Sequence, residues 1–358
     1  MSKKPVIQLI DSLNVGGAEM MSINIANLLH EEGYDSHICA TRKEGELKDR
    51  INNEVKYLFL NRTKRIDFKV ILTLKKYIRS NSIKIIHAHS TSIFLAVVVK
   101  LICWDLKIIW HDHYGISSNY DKRPTISLKV LSLFMNVILS VNKGLQDWSI
   151  KELYCKTTLY FPNFAVLNNV SKDLTILKGV EGERIVIVAA LRPQKDHFTL
   201  IKAFKLIVEE FPNWSLHIVG SDYNDDYSLG IKKTIEKVNL NSNVYFYGAR
   251  HDIKSILKQS DIAVLSSKSE GLPVSLLEYG LAKVATVCTD VGQCSEVLTD
   301  EKLLIPKENS TLLFNSIKLL ISSSKFREAS GNQLYKNVFT NFSKETYTKK
   351  LIEVYKNG

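Results

Sequence analysis

"DIAVLSSKSEGLPVSLLEYG", residues 261–280, passes from a short apolar, β-branched run through a polar loop into a Pro-led segment of helical period. The run at 261–267 predicts a buried strand. Pro273 predicts the first residue of the next helix, because that position needs no N–H and its φ is already helical. Glu270 then sits in the loop and Glu278 about one and a half turns into the helix. Open α/β sheets bind ligands where a strand's carboxyl end meets the following helix, so both acids fall where a site is expected. The spacing alone says little, since 37 acids in 358 residues give roughly four such pairs by chance.

Outward from this unit, strand-like and helix-like runs alternate along the whole chain, which predicts an α/β protein with doubly wound parallel sheets. "PVIQLID", "DSHICAT", "VKYLFL", "IKIIHAH", "KIIWHDH", "VILSV" and "TTLYFPN" are the strand candidates of the first half. "RIVIVAAL", "SLHIVGS", "NVYFYGA", "DIAVLSS" and "VATVCTD" are those of the second. Between them the period fails, so we expect a first domain at 1–165, a linker at 166–183 and a second domain at 184–342. The last segment, 343–357, reads as a helix with Tyr347, Leu351 and Tyr355 on an apolar stripe that packs back on the first domain.

The length suits two cores, and 45% hydrophobic with 24% charged residues is an ordinary globular composition. A net charge of +11 suits phosphorylated small molecules or an anionic membrane surface. With no Arg-rich tract and no zinc-finger or RNA-binding signature, nucleic acid is not expected as a partner. Five scattered cysteines without Cys-x-x-Cys predict free thiols in a reducing, cytoplasmic setting. The N-terminus reads as a strand rather than a signal peptide, and "IFLAVVVKLICW" at 93–104 is too short to span a bilayer.

Four further features could carry chemistry. Gly16 and Gly17, between the first strand and a helix, permit positive φ and amides aimed at an anion, or else only a tight turn. Arg192 and Lys195 stand before a helix expected to begin near Thr199, as a phosphate clamp or as a solvated loop. His87, His89, His111 and His113 form two His-x-His pairs, each presenting two imidazoles on one strand face. They serve as hydrogen-bonding groups at a cleft, as core histidines or as metal ligands, and no further ligand at recognisable spacing supports the metal. Gly292, in "TDVGQCSEVL", belongs to the turn after the next strand and should line the same crevice.

Taken in order, "GGAE", the His ending "KIIWHDH", "FPN", "LRPQKD", "VGSD", "YGARHD" and "SEGLPVSLLEYG" with "TDVGQCSEV" resemble the retaining nucleotide-sugar glycosyltransferases of family 4 over most of the chain. The resemblance implies the GT-B fold, two Rossmann-like domains facing across a cleft. It implies that Glu270 meets the donor sugar's hydroxyls and Glu278 the nucleotide ribose. Lys195 matches the diphosphate-binding lysine, and Gly16 and Gly17 the glycine loop that faces the diphosphate. Gly271, Leu272, Pro273 and Val274 complete the donor-binding turn. The family's arginine commonly follows the strand directly, where this chain has Ala190 and Leu191, so Arg192 replaces it or the second cation comes from elsewhere. The first-domain histidine falls on His113, with His111 as the fallback and His89 and Gly292 as further cleft candidates.

The expected reaction is retaining transfer of a hexose or N-acetylhexosamine from a nucleotide-diphosphate sugar, UDP favoured over GDP. The acceptor is a glycan, in a lipid-linked form, for surface polysaccharide, and neither cofactor nor metal is called for. Epimerase or phosphorylase chemistry on the same fold, a metal-dependent hydrolase and a non-catalytic sugar-nucleotide binder are the alternatives. Lys64, Arg65, Lys75 and Lys76 are the expected contacts to an anionic membrane, with the chain peripheral at the inner face of the cell membrane.

Overall fold

Among the described residues of the computed structural model every strand pairing is parallel. The structure describes residues 3–114, 123, 125–167 and 174–357, so Gly115 and residues 168–173 of the expected linker lie outside the described residues. The chain divides into two units, Met1–Asn163 with Tyr347–Gly358, and Phe164–Thr346.

The first unit holds β1 (Lys3–Ser12), β2 (Tyr34–Lys43), β3 (Lys56–Phe59), β4 (Ile85–His89), β5 (Lys107–Asp112), β6 (Val137–Ser140) and β7 (Thr158–Tyr160), in the order β3-β2-β1-β4-β5-β6-β7. The second holds β8 (Arg184–Val188), β9 (Ser215–Val219), β10 (Val244–Gly248), β11 (Ile262–Leu265), β12 (Ala285–Thr289) and β13 (Leu304–Ile305), in the order β10-β9-β8-β11-β12-β13. Both are doubly wound α/β sheets, and the winding reverses between β1 and β4 in one and between β8 and β11 in the other. β13 is the one described strand absent from the sequence reading; two residues are too few to show a period.

Side chains alternate across the first sheet. Ile7 and Leu9 of β1, Ile86 and Ala88 of β4, and Ile108 and Trp110 of β5 share one buried cluster. Gln8, His87, His89 and His111 therefore point to the other face. There the helix Lys344–Asn357 lays its stripe, burying Tyr347, Leu351 and Tyr355. Tyr355 meets the His87 ring edge-on at 5.8 Å, and Tyr347 meets Phe161 at 4.7 Å.

Three local expectations are corrected. Pro273 is the N-cap of the helix Val274–Leu281, with ψ 122, and not its first residue; its φ of −73 fits either place. The helix expected near Thr199 begins at His197, because Asp196, left-handed at φ 46, caps it by accepting from the Thr199 N–H. Gly16 has an extended φ of −168 and caps the helix Gly17–Glu31, so neither glycine adopts a positive φ.

Among the described residues no helix is long and apolar enough to cross a membrane. The run at 93–104 contains the helix Ile93–Ile102, with Ile93, Leu95, Ala96, Val97 and Val99 buried in the first unit. All five cysteines are free thiols; Cys39, Cys103, Cys288 and Cys294 are buried and Cys155 is half-buried.

Candidate active site

In the second unit the turns after β8 and β11 meet at the reversal of strand order. Ser266 Oγ donates to the Lys195 carbonyl at 2.9 Å, and Lys268 N donates to the Gln194 carbonyl at 2.7 Å. Lys195 Nζ lies 2.5 Å from Glu270 Oε1, which also accepts from Ser267 Oγ at 2.6 Å. Glu270 is 9% exposed, so this carboxylate is largely desolvated and is matched by a cation and a hydroxyl. Among the described residues both contacts fall on Oε1.

Gly292 is tied to the same turn. At φ +60 its α-carbon backs onto the carbonyls of Glu270 and Gly271, leaving no space for a Cβ, and Gln293 N donates to the Gly271 carbonyl at 2.9 Å. Leu272 and Pro273 are buried, Gly271 and Val274 half-buried, and Glu278 stands half-buried in the helix they open. Tyr279, next to Glu278, accepts from the β8 amide of Val188 at 2.7 Å and so pins this helix to the strand that leads into the Lys195 turn.

Arg192 is exposed and turns elsewhere. Its guanidinium bonds the Tyr223 hydroxyl at 2.5 Å and lies 4.9 Å over that ring. The structure thus joins Lys195, Glu270 and Gly292, while Arg192 has a separate aromatic partner. Ser267 and Tyr223 escape sequence reasoning: one is a serine among several, the other sits 31 positions from its arginine.

In the first unit the end of β1 carries Asp11, which accepts from Thr41 Oγ1, Thr91 Oγ1 and Arg62 at 2.5, 2.6 and 3.0 Å. Gly16 and Gly17 follow. The Glu19 carboxylate folds back against Gly16, at the positive end of the helix it begins, whereas Gly17 has open space around it.

The histidines gather on one face. Rings of His87 and His89 stack at 4.6 Å, His87 and His111 at 5.3 Å, and His111 and His113 lie 4.1 Å apart. His87, His89 and His111 are fully buried and His113 is half-buried, so His113 is the one of the four that combines this cluster with exposure. Ligating atoms of His87, His89 and His111 come within 4.8 Å of one another. Their planes differ by only 21° and 13° at centroid separations of 4.6 and 5.3 Å, so an ion in the plane of one ring lies off the plane of the next and the rings would have to turn to share it. Burial depresses all four, His113 to about 3, and keeps the imidazoles neutral at pH 7.

Asp112 points to the opposite face. It holds Arg123 through two bonds of 2.7 and 3.0 Å, and the guanidinium lies 4.3 Å over Trp148 and 4.5 Å over Tyr114. Asp112 Oδ1 also accepts from the Tyr114 N–H at 3.2 Å, which fixes the backbone on the far side of His113.

Residues 176–337 match the family model described as glycosyl transferases group 1, and residues 15–153 match that of glycosyltransferase family 4. The capsular polysaccharide biosynthesis glycosyltransferase CapH of Staphylococcus aureus is 25% identical, with 97% of this chain and 99% of that one covered. A UDP-Gal:alpha-D-GlcNAc-diphosphoundecaprenol alpha-1,3-galactosyltransferase of Escherichia coli is 27% identical over 76% of this chain and 75% of its own. HepE of Anabaena, solved with UDP and glucose, superposes with a TM-score of 0.81 at 15% identity over 99% of this chain and all of that one.

Proposed function

Because the chain belongs to the group 1 and family 4 glycosyltransferases, with the GT-B fold and relatives in surface polysaccharide synthesis, we propose that it moves a hexose or N-acetylhexosamine from a UDP-sugar to a lipid-linked glycan, with retention at the anomeric carbon. The observation that carries this reading is Lys195 against Glu270 at the β8/β11 reversal. A lysine held there can neutralise a diphosphate, and the carboxylate beside it can accept the sugar's hydroxyls on Oε2 while Oε1 stays with Lys195 and Ser267. Glu278 accepts the ribose hydroxyls. The relative named for UDP-galactose and a diphosphoundecaprenol acceptor supports both the base and the lipid-linked acceptor.

As the glycosidic bond to the diphosphate breaks, positive charge grows on the sugar ring and negative charge on the leaving phosphate. Lys195 and the start of the helix Val274–Leu281 stabilise that phosphate, with Arg192 joining when it leaves Tyr223. From the first unit we assign His113 to the donor sugar and the Gly16 and Gly17 amides to the phosphate; an incoming phosphate takes the place of the Glu19 carboxylate. The acceptor oxygen attacks on the face the phosphate leaves, which keeps the configuration. Cationic side chains and helix ends supply the charge, so the transfer runs without a metal.

The test is product analysis by NMR with a panel of UDP- and GDP-sugars and an undecaprenyl-diphosphate glycan acceptor. The expected product is an α-linked glycoside from an α-linked donor, made only with acceptor present and at an unchanged rate in strong chelator. An inverted linkage, a free epimerised sugar nucleotide or a chelator-sensitive rate overturns the assignment.

A further inference from the structure

Five side chains far apart in sequence form one hydrogen-bonded chain inside the first unit. His113 Nε2 meets His89 Nδ1 at 3.0 Å; His89 Nε2 meets Gln8 Oε1 at 2.9 Å; Gln8 Nε2 donates to Tyr355 Oη at 3.3 Å; and Tyr355 Oη meets His87 Nδ1 at 2.7 Å. Gln8, His87 and His89 are fully buried and Tyr355 is 2% exposed, so no water competes for the three bonds among these four side chains, and the half-buried His113 is the end of the network nearest solvent.

The amide of Gln8 gives the chain a direction. Its oxygen can only accept, so His89 carries its proton on Nε2 and has a lone pair on Nδ1. That lone pair must receive the Nε2–H of His113. At the other end the Gln8 N–H occupies the Tyr355 oxygen, whose own hydrogen goes to His87 Nδ1.

We propose that this chain holds His113 in the tautomer protonated on Nε2, so that its Nδ1 meets a ligand as a hydrogen-bond acceptor, and that Gln8 and Tyr355 are positioning residues for it. The inference rests on the reading of His113 as a donor-sugar contact. An acceptor nitrogen takes a sugar hydroxyl, which can donate, and disfavours a carboxylate or carbonyl oxygen at the same place, which cannot. The C-terminal helix thereby sets the specificity of a residue more than 240 positions earlier, through Tyr355. Turning the Gln8 amide over would reverse every bond and move the His113 proton to Nδ1, which makes the tautomer the observable.

The experiment uses the full chain labelled with [15N]histidine and long-range 1H–15N correlation spectra, which distinguish the two tautomers directly. His113 is identified by the signal lost in His113→Asn. We expect a single Nε2-protonated pattern in the wild type, and a mixed pattern in Tyr355→Phe and in Gln8→Met. Transfer by these variants should fall about tenfold in kcat/KM with the Kd for UDP unchanged. An Nδ1-protonated wild type overturns the proposal, as do variants that keep the wild-type pattern; if both variants fail to fold, the wild-type spectrum alone decides. Because the spectra need no donor, a chain with the expected tautomer but no transfer activity would sink the functional reading and leave the network standing.

Discussion

Lys195 and Glu270 join the segments that leave β8 and β11, the two strands between which the second sheet reverses its order, with Nζ and Oε1 2.5 Å apart. In this pair the lysine is partly exposed and the carboxylate largely buried. Removing the lysine therefore leaves a desolvated acid with Ser267 as its hydrogen-bond partner, whereas removing the acid's charge leaves a lysine that water can reach. Lys195→Ala should lower the melting temperature by several degrees, corresponding to about 1–3 kcal/mol, and slow transfer about 100-fold. Adding Glu270→Gln should recover most of the stability and none of the transfer. Thermal unfolding and initial rates on the two singles and the double check both halves; a double variant as unstable as Lys195→Ala would mean that the ion pair does not hold this turn.

Gly292 and Gly17 both follow a strand closely, Gly292 in a turn and Gly17 at the start of a helix, and the structure separates their roles. A Cβ at 292 would collide with the Glu270 and Gly271 carbonyls and sit at φ +60, whereas one at 17 would meet nothing within 4 Å. Gly292→Ala should cost about 1–3 kcal/mol and displace the Glu270 turn. Gly17→Ala should leave the melting temperature within a degree or two while slowing transfer, because only an approaching phosphate would feel the added methyl. Equal stability losses at the two positions would contradict this assignment.

The α/β class and the Glu270–Glu278 turn were legible because a β-branched run, a Gly-Leu-Pro loop and a helical period are each local signals. The His-x-His pairs were legible for the same reason, since alternation along a strand puts both rings on one face. Gln8 left a fainter mark, a lone polar residue inside "VIQLI". Its partner Tyr355 lies 347 positions away, and no local period links the two. Arg192 reads as a phosphate ligand from its neighbours, but its ring contact with Tyr223 depends on how the β8 and β9 turns approach. The left-handed Asp196 hid the helix start because its side chain, and not an apolar period, begins the helix.

The buried imidazoles set a pH dependence. His87, His89 and His111 have their folded values pushed well below 6.5 by burial, His113 goes to about 3, and His197 and His217 go to about 4. A group depressed in this way binds its proton more readily when unfolded, so its contribution is complete above about 6.5 and is lost as pH falls below that value. At pH 5.5 each fully buried histidine should have cost about 1.4 kcal/mol relative to pH 7.5. Asp112, whose carboxyl is raised by burial against the pull of Arg123, acts in the opposite sense. Urea unfolding between pH 7.5 and 5.5 should show a steep loss of stability, and His87→Gln should flatten the slope; a profile flat across this range would mean that these imidazoles are protonated in the fold.

The first unit also presents an exposed surface of mixed character that fits an anionic bilayer. On the helix Phe68–Ser80, Phe68 is 77% exposed and Leu72 60%, while Ile126 and Val130 are exposed on the helix Thr125–Ser132. Both helices pack beside Ile93–Ile102, and the apolar positions are accompanied by Lys64, Arg65, Lys69 and Lys76, all exposed. Basic groups near an anionic surface contribute about 1 kcal/mol each, and a buried Phe or Leu side chain about 1.5–3 kcal/mol. Cosedimentation should therefore show binding to vesicles containing phosphatidylglycerol that weakens with salt and is nearly absent with phosphatidylcholine alone. Phe68→Ser with Leu72→Ser should reduce the vesicle-bound fraction at least tenfold and leave transfer to a soluble acceptor analogue unchanged. Binding that ignores lipid charge, or a double variant that sediments like the wild type, would remove this surface from any role at the membrane.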